Sequence, residues 1–185
     1  MNKTLSLVFG ASILFSSAVS AVAVTILPPG SAWDYSTDGG ATWNGPSLAP
    51  FGNTSGGDFG ANTYWAAGTP MSVRTTVNLA GYDLSSIGYD LGVDNGFDLF
   101  VNGNHVAGDN AEGFTFRWEY SGAIPQSALL AGANLVEVVL EDHGGLTAFD
   151  MQITGDARVP DGGATLSLLV IGFSGLAFAA RRRAC

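Results

Sequence analysis

Apolar and polar side chains alternate with a period of two through much of the chain after residue 70. Such alternation is typical of β-strands that bury one face, and no segment there shows the sustained 3.6-residue period of an amphipathic helix. The alternating segments are residues 72–79, 87–93, 97–101, 104–107, 114–120, 135–140 and 148–153. Six or seven strands at this spacing predict an all-β fold, an antiparallel β-sandwich.

Two connections between these segments carry turn signals. Asn102-Gly103 joins the third and fourth segments, and this dipeptide is the strongest short-range signal for a two-residue β-hairpin. Residues 124–130 contain a proline and two leucines and end shortly before Gly132, which predicts one short helical turn.

Residues 28–70 follow a different pattern, because they are rich in Gly, Pro, Ser and Thr and show no regular alternation. Their aromatic residues are Trp33, Tyr35, Trp43, Phe51, Phe59, Tyr64 and Trp65. A long irregular stretch is unusual inside a compact domain. We therefore expect this segment to wrap around the sandwich, held in place by its aromatic side chains.

Residues 1–23 have the three parts of a secretory signal peptide. A short start with Lys3 precedes an apolar run of about a dozen residues, and small residues follow at an A-x-A cleavage site. Cleavage is expected after Ala21 or Ala23, and Ala23 is preferred. The alternative, a buried N-terminal helix, is disfavoured because the apolar run has no polar face.

The C-terminal part of the chain predicts a membrane-spanning helix. Residues 164–180 contain no charge and would span about 25 Å as a helix, slightly less than the roughly 30 Å hydrocarbon core. Arg181, Arg182 and Arg183 follow directly and supply a cytoplasmic stop. A C-terminal core helix is the alternative, which is disfavoured because this segment is apolar on all sides.

These C-terminal parts together resemble the PEP-CTERM sorting signal of Gram-negative bacteria, in its Val-Pro-Asp form. A motif at residues 159–165 precedes the apolar run and the arginine cluster of residues 181–183. The motif opens with Val159, Pro160, Asp161, Gly162 and Gly163. The resemblance of residues 159–185 implies an exosortase-type processing enzyme, a transient inner-membrane anchor, and delivery to the cell surface or the extracellular polysaccharide matrix.

The predicted domain between the two ends, residues 24–158, is strongly acidic. It has three arginines, no lysine and fifteen acidic residues, a formal net charge of −12 against −9 for the whole chain. An acidic surface disfavours nucleic acid and anionic lipid, so membrane contact is expected only through the sorting helix. Neutral polymers and divalent cations are the favoured partners. One cysteine, Cys185, excludes a disulfide framework.

Three segments of this domain resemble the galactose-binding-like jelly-roll domains that accompany β-galactosidase-type glycosidases. They are residues 92–103 with the Val-Asn-Gly hairpin, residues 124–130, and residues 132–138 with the Gly-x-Asn connection. Residues 33–40 together with Trp43 are similar to the N-terminal Trp-x-Tyr element of such modules. The resemblance implies a jelly roll but no particular activity, since this fold serves as lectin, spacer or packing module.

The usual catalytic motifs, such as G-x-S-x-G and H-E-x-x-H, are not in the sequence. Glu141 or Asp142 with His143 is a conceivable hydrolytic pair, but acids that cap the following Gly-Gly turn are the favoured interpretation. We therefore expect a protein that is not an enzyme and that requires no cofactor.

A structural calcium ion is one alternative for the acidic residues near the hairpin and the strand ends. The candidate ligands are Asp94, Asp98, Asp109 and Asp142, with Asp150 as a rival. Solvated turns use the same residue types for Asx hydrogen bonds, so both interpretations stay open.

Aromatic rings in loops are the candidates for stacking on sugars, with an arginine as hydrogen-bond donor. These residues are Trp43, Tyr64, Trp65 and Arg74, whereas Trp118 is expected to pack inward. The sequence thus favours a secreted, non-catalytic carbohydrate-binding or structural component of the extracellular polysaccharide layer. A glycan-acting enzyme and a purely architectural protein are the alternatives.

Overall fold

The β-strands form two sheets that enclose a hydrophobic core. A computed structural model of the chain describes residues 22–54, 60–110 and 117–158. The strands in these ranges are β1 (Ala23–Leu27), β2 (Ala32–Ser36), β3 (Asn44–Leu48), β4 (Phe51–Gly52), β5 (Thr63–Tyr64), β6 (Met71–Asn78), β7 (Gly88–Asp94), β8 (Gly96–Val101), β9 (Asn104–Asp109), β10 (Tyr120–Ala123), β11 (Ala133–Glu141) and β12 (Ala148–Asp156). Two 3-10 turns, Leu84–Ser86 and Gln126–Ala128, lie between strands.

Each sheet has six strands. Sheet A has the order β10-β7-β12-β4-β5, and β1 also pairs with β12. Sheet B has the order β3-β2-β6-β11-β8-β9. The strand pairs are antiparallel except β4 and β5, which run parallel. The prediction of an all-β fold with two sheets is therefore confirmed.

The core forms where the inward faces of the two sheets meet. Alternation along the strands sends one apolar set inward, and most of the largest fully buried side chains belong to this set. Trp65, Leu79 and Ile87 lie just outside the strands. Trp33 of β2 and Phe149 of β12 contact edge to face, with ring centroids 5.3 Å apart. Burying one large apolar side chain contributes about 1.5–3 kcal/mol, so this contact between the two sheets is a major stabilising element.

The expectation that residues 28–70 wrap around the sandwich is wrong. This segment supplies β2, β3, β4 and β5, and β2 lies inside sheet B between β3 and β6. Trp33, Phe51 and Trp65 are completely buried. These strands are two to five residues long, which is too short for a period-two pattern to stand out among glycines and prolines.

The predicted strand over residues 114–120 is also displaced. Arg117 and Trp118 form a turn, and β10 begins only at Tyr120. Residues 111–116 lie outside the described part of the chain. Trp118 is half-buried, with the Arg117 guanidinium carbon 5.0 Å from its ring centroid.

The Asn102-Gly103 hairpin is confirmed, with both residues in the left-handed region at φ of 52° and 77°. The Asn102 side chain also links this turn to the connection before β11. Asn102 Nδ2 donates to Ala128 O and to Asn134 Oδ1, both at 2.8 Å. Asn134 Nδ2 donates in turn to Leu130 O and Gly132 O. The Val-Asn-Gly and Gly-x-Asn segments are therefore two halves of one buried hydrogen-bond network.

The start and the end of the domain lie side by side. Ala23 of β1 stands opposite Asp156 of β12 in sheet A, and residues 21–158 form one compact unit. Among the described residues, no helix is long and apolar enough to cross a membrane. Residues 1–21 of the predicted signal peptide and the predicted helix at 164–180 lie outside them.

Asn134→Ala should destabilise the domain by about 2–3 kcal/mol, because the backbone groups of Leu130 and Gly132 lose their buried partner. The exposed Asn44→Ala should stay within about 0.5 kcal/mol of the wild type. Denaturant unfolding followed by tryptophan fluorescence measures both. Equal stabilities for the two variants would contradict the network's structural role.

Candidate binding face

The outer face of sheet B carries a row of side chains that crosses five strands. Asp34 of β2 stands opposite Arg74 of β6, and Arg74 stands opposite Glu137 of β11. Glu137 faces Phe100 of β8, which in turn pairs with His105 of β9. Directly opposed residues in antiparallel strands project from the same face, so these five form one continuous row. We call it the sheet B row.

One end of this row opens into a shallow groove of about 360 Å³. Its lining combines hydroxyl, charged and apolar groups. The lining residues are Ala32, Asp34, Pro46, Arg74, Thr75, Thr76 and Leu135.

Arg74 is held above this groove by two neighbours. Its guanidinium carbon lies 4.0 Å from the ring centroid of Trp43, a cation–π distance. Its Nε lies 3.6 Å from Asp34 Oδ2, and both side chains of this ion pair are partly exposed. The pair contributes little to stability at this exposure, but together with the ring it fixes where the arginine presents its N–H donors.

The loop between β2 and β3 positions Trp43 through hydrogen bonds to one carboxylate. Thr42 donates to Asp38 from its backbone N–H at 2.9 Å and from its hydroxyl at 2.6 Å. Ser36 donates from its hydroxyl to Asp38 and accepts from the Gly40 N–H. The hydrogen bonds from the Thr42 hydroxyl, the Thr42 N–H and Ser36 lower the pKa of Asp38 to about 2. The carboxylate therefore stays charged and keeps the loop closed just before Trp43.

The structure brings two of the four predicted sugar-binding residues together. Trp43 and Arg74 are in contact at the groove, whereas Tyr64 is 73% exposed on β5 of the other sheet. The expectation of an accessible ring is wrong for Trp65, which is fully buried and donates from Nε1 to Thr69 O at 2.7 Å. In a glycine-rich segment, the local sequence does not distinguish a tryptophan that is buried from one that is accessible.

Four members of the sheet B row are not among the residues that the sequence predicts for a site. Asp34, Glu137, Phe100 and His105 carry no sequence signal beyond that of strand or turn residues. Their shared face follows from strand register, which a single sequence does not show for partners tens of residues apart.

The four predicted calcium ligands do not converge on one point. Asp98 Oδ1 lies at hydrogen-bond distance, 2.9 Å, from His105 Nε2 on the outer face of sheet B. Asp109 lies at the end of β9, opposite Phe97. Asp94 and Asp142 interact electrostatically, and Asp142 accepts from the backbone N–H groups of Gly68 and Gly144. Within the described ranges, no group of three or more His, Cys, Asp or Glu could hold a metal ion.

The remaining acidic candidates have identifiable protein partners. Glu141 Oε2 lies 3.6 Å from His143 Nε2, while the His143 N–H donates to Asn95 Oδ1 at 2.7 Å. These contacts, with Asp142 capping Gly144, fit the turn interpretation. Asp150 is completely buried, pairs with Arg117 and accepts from Gly30 N.

The fold and this face define the class as a β-sandwich domain with an open polar and aromatic sheet surface. Comparison with known protein families identifies a C-terminal signal, since residues 158–183 match the VPDSG-CTERM motif. The chain thus carries a C-terminal sorting signal of the PEP-CTERM type, as expected of a secreted or cell-surface protein. No curated protein matches it significantly.

Two solved structures show a distant likeness. One is a β-D-glucuronidase from Dictyoglomus thermophilum, with 12% identity, a TM-score of 0.44, and coverage of 76% of this chain and 29% of that chain. The other is an α-xylosidase from Xanthomonas citri, with 11% identity, a TM-score of 0.33, and coverage of 69% and 16%. This chain spans less than a third of either enzyme, and neither likeness carries an argument about its function.

Asp94→Asn should raise the melting temperature at pH 7. Burial, and then the charges of Asp142 and Glu119, raise the pKa of Asp94 above 3.8, so the folded state holds this proton to higher pH than the unfolded chain. The ionised Asp94 therefore costs stability above its raised pKa, and the gain from Asn should vanish below about pH 3.

Thermal unfolding in EDTA over a pH series that extends from neutral pH to below pH 3 measures this effect, and Asp83→Asn is a control of opposite sign. Hydrogen bonds from the Ser85 N–H and hydroxyl lower the pKa of Asp83, so its loss should lower the melting temperature at pH 7. A lower melting temperature for Asp94→Asn would contradict the prediction. Repeating the series with calcium tests the expectation of a structural ion.

The Asp38 carboxyl should titrate near pH 2 in the folded protein, as measured by NMR. Because its pKa is lowered, its stabilising effect is complete above the unfolded value and is lost as the pH falls towards about 2. Thr42→Val removes the hydroxyl donor and should raise this pKa. An unchanged titration in Thr42→Val would show that the hydroxyl does not hold the loop.

Proposed function

We propose that this protein is a non-catalytic carbohydrate-binding domain of galactose-binding-like jelly-roll type, secreted and sorted by an exosortase-type enzyme. In this proposal, the groove at Trp43, Arg74 and Asp34 binds a neutral polysaccharide of the extracellular layer. The observation that carries it is the Trp43–Arg74–Asp34 arrangement beside an open groove.

The groove offers what a sugar needs for recognition. A sugar has apolar ring faces that pack on aromatic side chains and hydroxyl groups that both donate and accept hydrogen bonds. Trp43, in contact with the lining residue Arg74, supplies an aromatic surface beside the groove. The Arg74 guanidinium supplies only donors, and the Asp34 carboxylate supplies only acceptors. Thr76, two residues from Arg74 on the same face of β6, adds a hydroxyl group at the groove wall.

Charge favours a neutral ligand over an anionic one. The domain carries a formal net charge of −12, and Arg74 lies between Asp34 and Glu137 in the sheet B row. An acidic polymer meets repulsion from both sides of the arginine and from the domain as a whole. A neutral polysaccharide avoids this repulsion and still uses the same donors and acceptors.

Binding without hydrolysis is supported by the composition of the groove. Glycoside hydrolysis generally uses two carboxyl groups that flank the scissile bond. Among the described residues that line the groove, Asp34 is the one carboxylic acid, and Arg74 pairs with it. The sorting signal supports a place outside the cell, where such polysaccharides occur.

Trp43→Ala and Arg74→Ala should each weaken polysaccharide binding by about tenfold or more, since each removes one side of the ligand contact. Affinity electrophoresis of the full-length chain in gels containing neutral β-glucan, galactan, mannan or xylan measures this. Tyr64→Ala removes an exposed ring on the other sheet and should bind like the wild type.

Three results would contradict the proposal. Retardation by no neutral polysaccharide would favour an architectural protein. An equal loss of polysaccharide binding in Tyr64→Ala would show that the binding site is not the groove. Release of reducing sugar by the wild type, lost in Glu141→Gln, would make the protein an enzyme.

A further inference from the structure

A second cluster lies on the same outer face, at the other end of the sheet B row. Phe100 and His105 contact with ring centroids 5.3 Å apart, in an edge arrangement. His105 Nε2 lies 2.9 Å from Asp98 Oδ1, and these side chains are 54% and 39% exposed. The cluster therefore combines an aromatic surface with polar groups open to solvent, as the groove does.

A glycine makes room for this cluster. Gly108 of β9 stands opposite Asp98, and a Cβ at this position would overlap Asp98 Oδ1 and lie 3.1 Å from His105 Nε2. Glycine weakens a strand interior because it offers no side chain to pack. Its presence here lets the Asp98–His105 pair lie flat across the edge strand.

The two clusters are separated by strand spacing alone. Arg74 and Phe100 are two strands apart, about 10 Å, and Asp34 and His105 are four strands apart, about 19 Å. Glu137 fills the interval with a further acceptor. A ligand that contacts both clusters must therefore be longer than one sugar ring and must cross the strands.

Resting on the proposed function, we infer that Phe100, His105 and Asp98 form a second subsite for the same ligand. The ligand is then an extended neutral polysaccharide chain that lies along the sheet B row, rather than a single sugar or a chain end. Trp43 and Arg74 hold one part of the chain, and Phe100 and His105 hold another. Asp34 and Glu137 in the row, and Asp98 beside it, disfavour an anionic polysaccharide along its length.

The length of the oligosaccharide ligand tests this inference. Isothermal titration of the full-length chain uses the disaccharide and the hexasaccharide of the polysaccharide that retards it in the gels. The hexasaccharide should bind about tenfold more tightly than the disaccharide, because only it reaches the second aromatic surface. Phe100→Ala should reduce the hexasaccharide affinity to the level of the disaccharide. Tyr64→Ala should keep the full difference.

Two further variants test the same subsite in case Phe100→Ala does not fold. His105→Ala changes a half-exposed side chain, and Gly108→Ala displaces Asp98 without removing it; both should reduce the hexasaccharide advantage. Melting temperatures identify any variant that is simply unfolded. A uronic-acid hexasaccharide should bind more weakly than the neutral one.

The outcomes separate this inference from the proposed function. If the hexasaccharide binds no better than the disaccharide, or if all three variants keep the advantage, the second subsite is wrong while Trp43-dependent binding still supports the proposed function. If neither saccharide nor polymer binds, the proposed function fails and the inference fails with it.

Discussion

The antiparallel pairing of β6 with β11 determines where nearly every side chain discussed above points. Eight consecutive residue pairs join these strands at the centre of sheet B. In this register Val73 and Val138 enter the core, while Arg74 and Glu137 emerge together on the outer face. A slip of one residue would exchange the two faces, burying the arginine and exposing the valines. The hydrophobic effect thus selects the outer face indirectly, because a one-residue slip would expose the apolar set.

The buried Asn134 secures this arrangement at one end of the sheet. Asn134 is the second residue of β11, and its amide contacts Asn102 in the β8–β9 turn. The register of β11 is therefore tied to the hairpin that carries Phe100 and His105. Polar groups inside a protein cost stability unless they are paired, so a network of this kind admits one geometry. Asn102 and Asn134, which come from two of the segments that resemble galactose-binding-like domains, therefore stabilise the fold.

The three arginines of the domain differ in whether they pair with a buried or an exposed carboxylate. Each of the three arginines in the acidic domain lies near a carboxylate: Arg74 near Asp34, Arg117 near the buried Asp150, and Arg158 within electrostatic reach of Asp83. Arg117 serves the interior, because a buried carboxylate needs a partner. Arg74 instead lies on an open face, against an aromatic ring and a groove. This contrast distinguishes the groove from the other ion pairs of the domain.

The sequence by itself determined the all-β class, the hairpin at Asn102-Gly103, most strands after residue 70 and the sorting signal, because each is written in local patterns of alternation, turn chemistry or ordered motifs. It did not determine that Trp65 lies in the core while Trp43 lies at the surface, or that β2 is an interior strand of sheet B. Only the tertiary structure brought Asp34, Arg74 and Phe100 into one row. That row depends on pairing between strands far apart in the chain, and such pairing is selected by burial of the whole core.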